Sequence, residues 1–534
     1  MRCEVRIGGV RYIGLAMLMA FSLCSVAQLS QPGRFEKDQK RRFGDFHIVS
    51  LEDQGLALLR DKEKYEMRER LWEFIQLDTA LAESWTKDLT VEQKYRFVGH
   101  DYRDKNLYYL FRAGDTDLGD LKIIKLDLQA KQVLEFDYKP ELAIQLTHFN
   151  IVGKQILLAG YVTRQPAVLL YNMENNQAKI VPGLLADNTE ILDVRANVNN
   201  TFNVLLSERQ TKAKKRLILK TFDETGALLL DDLIEVESEK NILSGMTSTL
   251  VRDELMLVGT WSDGISKQAS GIFSVMVDPY SEQKINYFDF GQLTHFFDYM
   301  TPKRAAKTKE RSDARRKAGK TPEFRTNVLP IRLLETKNGF VFYAEAYYTT
   351  ASVNNRSGAS ASPYGYYPYG MYGYGNPYRY GGYPYGGGYP YSPGYPMSST
   401  STSAEIKMQM ACIAVLDGSG QLITDHGLPL AEMRIPSTDQ VSDFIYTPTR
   451  TTILFNKDNE IHFQVTQSDG VQLINEKKEI QLLQASETIR SSTDAVGSMR
   501  YWYKNVLYLY GYQSIKNPEK GNRDVFFINK LRID

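Results

Sequence analysis

Cysteine is nearly absent: of the three in these 534 residues, Cys3 and Cys24 fall within the first 27, which leaves Cys412 alone. One cysteine cannot form an intramolecular disulfide, so the fold must be held by a hydrophobic core. Histidine is also scarce, at six (His47, His100, His148, His295, His426 and His462), and none is spaced as a paired metal site. No Gly-x-Ser-x-Gly occurs, and Gly418-Ser419-Gly420 reads as a hairpin turn after a strand. A nucleophile on a sharp strand-to-helix turn is therefore not expected. Past the N-terminus no apolar run is long enough to cross a bilayer. What remains is ordinary globular material, with 43% hydrophobic and 24% charged residues.

Residues 1–27 read as a secretory signal, because Arg2, Arg6 and Arg11 precede the apolar run Ile13–Cys24 and Ser25-Val26-Ala27 offers small residues for cleavage before Gln28. A retained anchor is the weaker reading, since that run is about 12 residues where a span needs roughly 20. Phe21-Ser22-Leu23 lacks the small residue that usually precedes a lipidated cysteine, so lipid on Cys24 is not favoured. The expected location is outside the cytoplasm: periplasmic, cell-surface or extracellular, with peripheral association with the outer membrane compatible. Residues 28–42 are expected to be a flexible N-terminal segment.

A two-strand unit then recurs. Its first apolar residues are Leu56, Leu107, Ile156, Phe202, Leu255, Phe340, Ile453 and Val506, separated by 51, 49, 46, 53, 85, 113 and 53 residues. A second strand closing on an acidic turn tends to follow, as in Trp72–Asp78, Leu121–Asp127, Leu217–Asp223, Gly271–Asp278, Cys412–Asp417 and Phe526–Asp534. After several of these the chain resumes with another strand. Three to four short strands per period of about 50 residues is the arithmetic of a propeller blade. Separate β-sandwiches would require linkers every 100 residues or so, and a β-solenoid a much shorter period. The expected fold is all-β: a single β-propeller of seven or eight blades, eight favoured, with antiparallel strands over 43–534 and two disordered insertions. A strand near Phe43–Leu51 is expected to complete the last blade and close the ring.

The stretches Lys337-Asn338-Gly339-Phe340-Val341-Phe342-Tyr343-Ala344-Glu345 and Ile413-Ala414-Val415-Leu416-Asp417-Gly418-Ser419-Gly420 carry a resemblance. Together with the basic insertion before the first of them, the pattern resembles uncharacterised exported β-propellers of Gram-negative cell envelopes. The resemblance implies fold and export, and transfers no catalytic residue.

The two long gaps hold the insertions. In the basic one, at 301–322, nine Lys or Arg of Lys303–Lys320 stand against Glu310 and Asp313, a local charge of +7 that leaves the rest of the mature chain at −8. Such an arm can seek phosphates, anionic glycans or lipid headgroups, or it can be a solvated loop or short helix on the rim. Nucleic acid is not expected, since no aromatics interleave the run to stack bases. Its candidate contacts are Lys303, Arg304, Lys307, Arg311, Arg315, Arg316 and Lys317. The other insertion is a Tyr/Gly/Pro-rich loop at 354–403, in which Pro363–Pro396 contains 13 Tyr, 10 Gly and 7 Pro. That composition supports neither strand nor helix and predicts a disordered loop. Its rings offer stacking faces and hydroxyls, so the candidate contacts are Tyr364, Tyr366, Tyr367, Tyr369, Tyr372, Tyr374, Tyr378, Tyr380, Tyr383 and Tyr385.

No catalytic residue, metal ligand or cofactor is assigned. His100-Asp101 is a poor acid–base pair, because neighbours on a strand point to opposite faces. Asp115-Thr116-Asp117-Leu118-Gly119-Asp120 lacks a calcium loop's third ligand position and distal Glu, and reads as a polar turn. Cys412, inside an apolar strand, reads as a buried small hydrophobe. The expected function is a non-enzymatic envelope or secreted scaffold that binds a protein or an envelope polysaccharide. The rivals are a glycan- or peptide-acting hydrolase or lyase, with carboxylates converging in the central channel, and a structural subunit of a surface assembly.

Overall fold

All eight repeat markers fall in the second strand of a sheet, one marker per sheet, seven of the sheets four-stranded and the one holding Val506 five-stranded. That is why the period was legible: the second strand is buried on both faces, as in Leu56-Ala57-Leu58-Leu59, where every residue has no exposure. The computed structural model describes residues 28–39, 44–66, 68–114, 119–211, 214–264, 266–324, 326–350, 405–435, 439–493, 499–519 and 521–534. Residues 1–27, expected as a signal, the Tyr-rich stretch with its ten candidate tyrosines, and Asp115–Leu118 lie outside the described residues.

The sheets are antiparallel and run outward from the innermost strand in chain order. Blade 1 spans 47–92, blade 2 95–138, blade 3 145–180, blade 4 189–235, blade 5 240–289, blade 6 327–435 and blade 7 442–479. Blade 8 is built from Met499–Tyr503, Val506–Asn517, Gly521–Ile533 and, outermost, Leu29–Asp38. The protein is an eight-bladed β-propeller. Thr488–Thr493 also pairs with Val506–Asn517, so the innermost strand of blade 8 comes in two pieces.

Eight apolar clusters lie one in each seam between successive blades, including the seam that joins blade 8 to blade 1 through Phe35, Ile48, Leu56, Trp502 and Phe526. Burial of this kind is worth about 1.5–3 kcal/mol per large side chain, which answers how a ring with Cys412 as its one cysteine among the described residues holds together. Outermost strands are wet: all four residues of Gln177–Ile180 are exposed.

Three expectations need correction. The closing strand is Leu29–Asp38, paired antiparallel with Gly521–Ile533 from Leu29 opposite Ile533 to Asp38 opposite Val525. The stretch expected to close the ring instead supplies His47–Ser50, the innermost strand of blade 1. Leu29–Asp38 is thus a strand of the ring and no part of a flexible leader, and the propeller begins before residue 43. Gln31-Pro32-Gly33 disguised the strand, and the structure accommodates it as a register irregularity between Ser30 and Gly33. The basic insertion is also not disordered, for Pro302–Lys317 is a helix, α1.

Chain order fixes two ends of the ring. Each innermost strand starts at one end, here the loop end, where blade-to-blade connections and second-to-third-strand connections lie; it turns into the second strand at the other, the hairpin end. Helix α1 connects blade 5 to blade 6 and so belongs to the loop end. Thr350 and Glu405, which border the Tyr-rich stretch, are the facing ends of the second and third strands of blade 6, also at the loop end.

Candidate binding site

Four buried carboxylates lie on the innermost strands of four different blades, and each is engaged by its own neighbours. Asp101 accepts from the N–H of Tyr102 at 2.9 Å and from that of Ile151 in the next blade at 2.7 Å. Asp443 repeats the arrangement, with Phe444 N–H and, across the seam to blade 8, Tyr501 N–H both at 2.8 Å. Asp193 takes the Thr247 N–H at 2.8 Å, and Glu335 takes Thr249 N–H at 2.6 Å and Arg252 N–H at 2.8 Å. An innermost strand has an open edge toward the axis, and its amides need acceptors. These acids supply them and staple blade to blade.

Glu345 staples blade 6 to blade 7 in the same way, from the second strand of blade 6, Gly339–Thr350. It has no exposure, and its carboxylate accepts from Ser442 N–H at 2.7 Å, the Ser442 hydroxyl and the Val441 N–H. Burial pushes it up to about 7, against the pull of the Ser442 hydroxyl, the two amides and the Arg500 charge. Burial likewise raises the Asp193 carboxyl, opposed by the Arg195 guanidinium. The histidines follow the same physics: burial holds His47 and His148 down to about 3 and His426 to about 4. Among the described residues no three His, Cys, Asp or Glu are grouped to hold a metal ion. Cys412 is half-buried against the core between blades 5 and 6, and burial raises its thiol well above the ordinary value.

Two surface features stand apart from this framework. The first is α1. Its inner side is tied to blade 5: the buried Ser312 hydroxyl meets Asp289, and the Arg316 guanidinium forks onto both Asp289 oxygens at 2.9 Å. Arg315 is spent on the Thr321 carbonyl and on Glu323. Of the predicted contacts, Arg315 and Arg316 thus anchor the helix. Lys303, Arg304, Lys307, Arg311 and Lys317 are exposed, and no ion pair of theirs occurs among the described residues. Lys303, Lys307 and Arg311 follow at i, i+4 and i+8, one helical face, with a rise of about 6 Å between successive cations.

The second is a cavity of about 650 Å³ where the hairpin turns of blades 6, 7, 8 and 1 surround the mouth of the central channel. Its wall carries Tyr446, Tyr501, Trp502 and Tyr503, and its rim Lys337, Asn338, Lys504, Glu52 and Asp53. Gly55 holds the blade 1 turn in place: its φ is 116°, a Cβ there would sit 1.8 Å from the Leu77 carbonyl oxygen, and its own carbonyl accepts from the Trp502 indole at 2.9 Å. None of these turns stood out in the sequence except Lys337-Asn338. The available signal was aromatic or charged residues at first-to-second-strand turns, recurring with the blade period.

No protein-family model matches the sequence, and no curated protein matches it. Solved structures give matches at low similarity. The β-propeller domain of the Trilobed protease from Pyrococcus furiosus is 9% identical, with a TM-score of 0.33, over 81% of this chain and 93% of that one. Polysaccharide lyase Uly1 is 9% identical, with a TM-score of 0.36, over 91% and 99%. Prolyl oligopeptidase B from Galerina marginata is 9% identical, with a TM-score of 0.38, over 88% of this chain and 56% of that one. Likeness at this level says nothing of what this chain binds.

Proposed function

We propose that the protein is an exported, non-enzymatic propeller that serves as a binding scaffold in the cell envelope, with α1 as its contact for an anionic polymer or an acidic protein face. The observation that carries this reading is where the cations of α1 lie. Lys303 and Arg304 occupy the first turn, which holds no acidic residue. Cations there oppose the positive end of the helix dipole, at a cost of about 0.3–1 kcal/mol each. Folding gains nothing from them, whereas Arg315, Arg316 and Lys317 at the other end suit the dipole. A cationic ridge clamped to a rigid ring through Ser312 and Arg316 is a preformed surface for negative charge. The carboxylates near the axis support the non-catalytic half of the reading, because backbone amides already occupy them. Export rests on the sequence pattern of residues 1–27.

The test is charge reversal at Lys303, Lys307 and Arg311, three residues outside the helix anchor. Retention of the triple Glu variant on immobilised polygalacturonate should fall about tenfold or more, and wild-type retention should weaken as salt is raised past about 0.15 M. The melting temperature should not fall, since no ion pair is broken. Retention that survives the reversal would discard α1 as the contact.

A further inference from the structure

The cavity at the hairpin end has a composition unlike that of α1. Its aromatic wall is joined by rim groups of both signs: Lys337 from blade 6 and Lys504 from blade 8 face Glu52 and Asp53 from blade 1. These four charges balance. The fifth, on Glu335, is turned to the amides of Thr249 and Arg252 and to the Thr249 hydroxyl, so the lining carries one net negative charge. A site built for a polyanion shows an excess of positive charge, and this one shows none. It offers hydrogen-bond donors and acceptors around two half-buried rings, Tyr446 and Tyr503, with Tyr501 and Trp502 buried behind them, at a volume inside the range of about 300–1,000 Å³ typical of ligand sites. Aromatic faces suit the apolar C–H face of a pyranose, while ammonium, amide and carboxylate groups satisfy its hydroxyls in both directions.

From this we infer that the channel mouth of blades 6, 7, 8 and 1 binds a neutral saccharide chain segment. Tyr446 is the half-buried ring of the wall that Lys530 does not engage, and it is the one we assign to stacking. Trp502 is fully buried, with its indole committed to Gly55, and the Tyr503 hydroxyl accepts from Lys530 at 2.9 Å. Lys337, Lys504 and Asp53 are exposed and close over the ligand from three blades. The site lies at the opposite end of the ring from α1 and does not depend on what α1 binds.

The experiment is calorimetric titration of the mature chain with cellohexaose, mannohexaose and N-acetylchitohexaose, and with hexagalacturonate as the charged comparison. At least one neutral hexasaccharide should bind, and more tightly than hexagalacturonate. Tyr446→Ala should weaken it about five- to tenfold, the worth of one stacked ring. Lys504→Gly provides a variant that the fold tolerates, because Lys504 sits at φ 49°, where glycine is at ease. It should keep the melting temperature and still lose affinity severalfold. Failure of all three neutral probes, tighter binding of hexagalacturonate, or affinity unchanged in both variants would overturn the inference. Triple reversal on α1 should leave these titrations unaltered, which separates this result from the fate of the α1 reading.

Discussion

Buried ionisable residues make the stability of this ring a function of pH. Glu345 stands near 7 in the fold against 4.5 for a free glutamate. Between those values the folded chain holds a proton that the unfolded chain has released, so its contribution is largest below 4.5 and is lost as pH rises toward 7. His47 and His148 act in the opposite sense. They stand near 3 against 6.5, so the unfolded chain gains protons first, and stability falls as pH drops from 6.5 toward 3. In the shared window Glu345 therefore blunts the acid-side loss. In Glu345→Gln the blunting disappears, and urea titrations at pH 5, 6 and 7 should show stability falling more steeply toward acid than in the wild type. The variant should also be weaker throughout, by about 1–3 kcal/mol, because an amide N–H₂ cannot accept from Val441 or Ser442. An unchanged slope would mean that Glu345 titrates normally. Glu345 was visible in the sequence as the end of an apolar strand, but its partners lie some 97 residues on. Spacing along one chain does not reveal which amide a carboxylate will meet across a seam.

Secondary elements were legible in proportion to how apolar they are. Second strands, buried on both faces, announced themselves; Leu29–Asp38, with Pro32, Gly33 and four charged residues, did not. Its pairing uses polar chemistry. Arg34 forks to Glu36 at 2.6 Å, Asn529 at 2.8 Å and Gln513 at 2.9 Å, with its guanidinium 4.3 Å from the Phe527 ring centre. Arg523 continues the chain to Glu36 and to Glu487. Taking Arg34 away strands buried acceptors, so Arg34→Met should cost about 3 kcal/mol in denaturant titration. Removing residues 28–39 should do far more. It would open the edge of Gly521–Ile533 and uncover the blade 8 to blade 1 seam, and the product should aggregate on size exclusion instead of eluting as a monodisperse ring. A deletion variant as stable as the parent would show that the ring does not need this closure. The short helix on the rim was one reading of the basic run, but its docking was not legible, because a run of Lys and Arg reads as solvated in sequence. Ser312 and Arg316 turn it into a docked element by meeting Asp289, in the strand just upstream.

At the scale of the molecule, the eightfold period, the blade number and the all-β class were readable because every blade solves the same burial problem. What the period could not convey was which turns meet at the axis, since Glu52, Lys337, Pro448 and Lys504 are scattered over most of the chain and share only a register position. Closure also bears on how the two proposed surfaces interact. A ring with an apolar cluster in every seam and acidic staples near the axis has no hinge evident between α1 at the loop end and the cavity at the hairpin end. Coupling between sites requires an element with two arrangements that both ligands bias differently. Among the described residues every blade seam is packed by an apolar cluster, and the two surfaces carry different charge. Saturation with polygalacturonate should therefore change the affinity of the cavity for its hexasaccharide by no more than about twofold, a coupling of less than about 0.5 kcal/mol. Salt should separate them as well: raising it from about 0.05 to 0.5 M should release the polyanion and leave the saccharide in place, because only the first is held by net charge. A strong mutual effect, or loss of both ligands together, would show that the ring transmits a change from one end to the other.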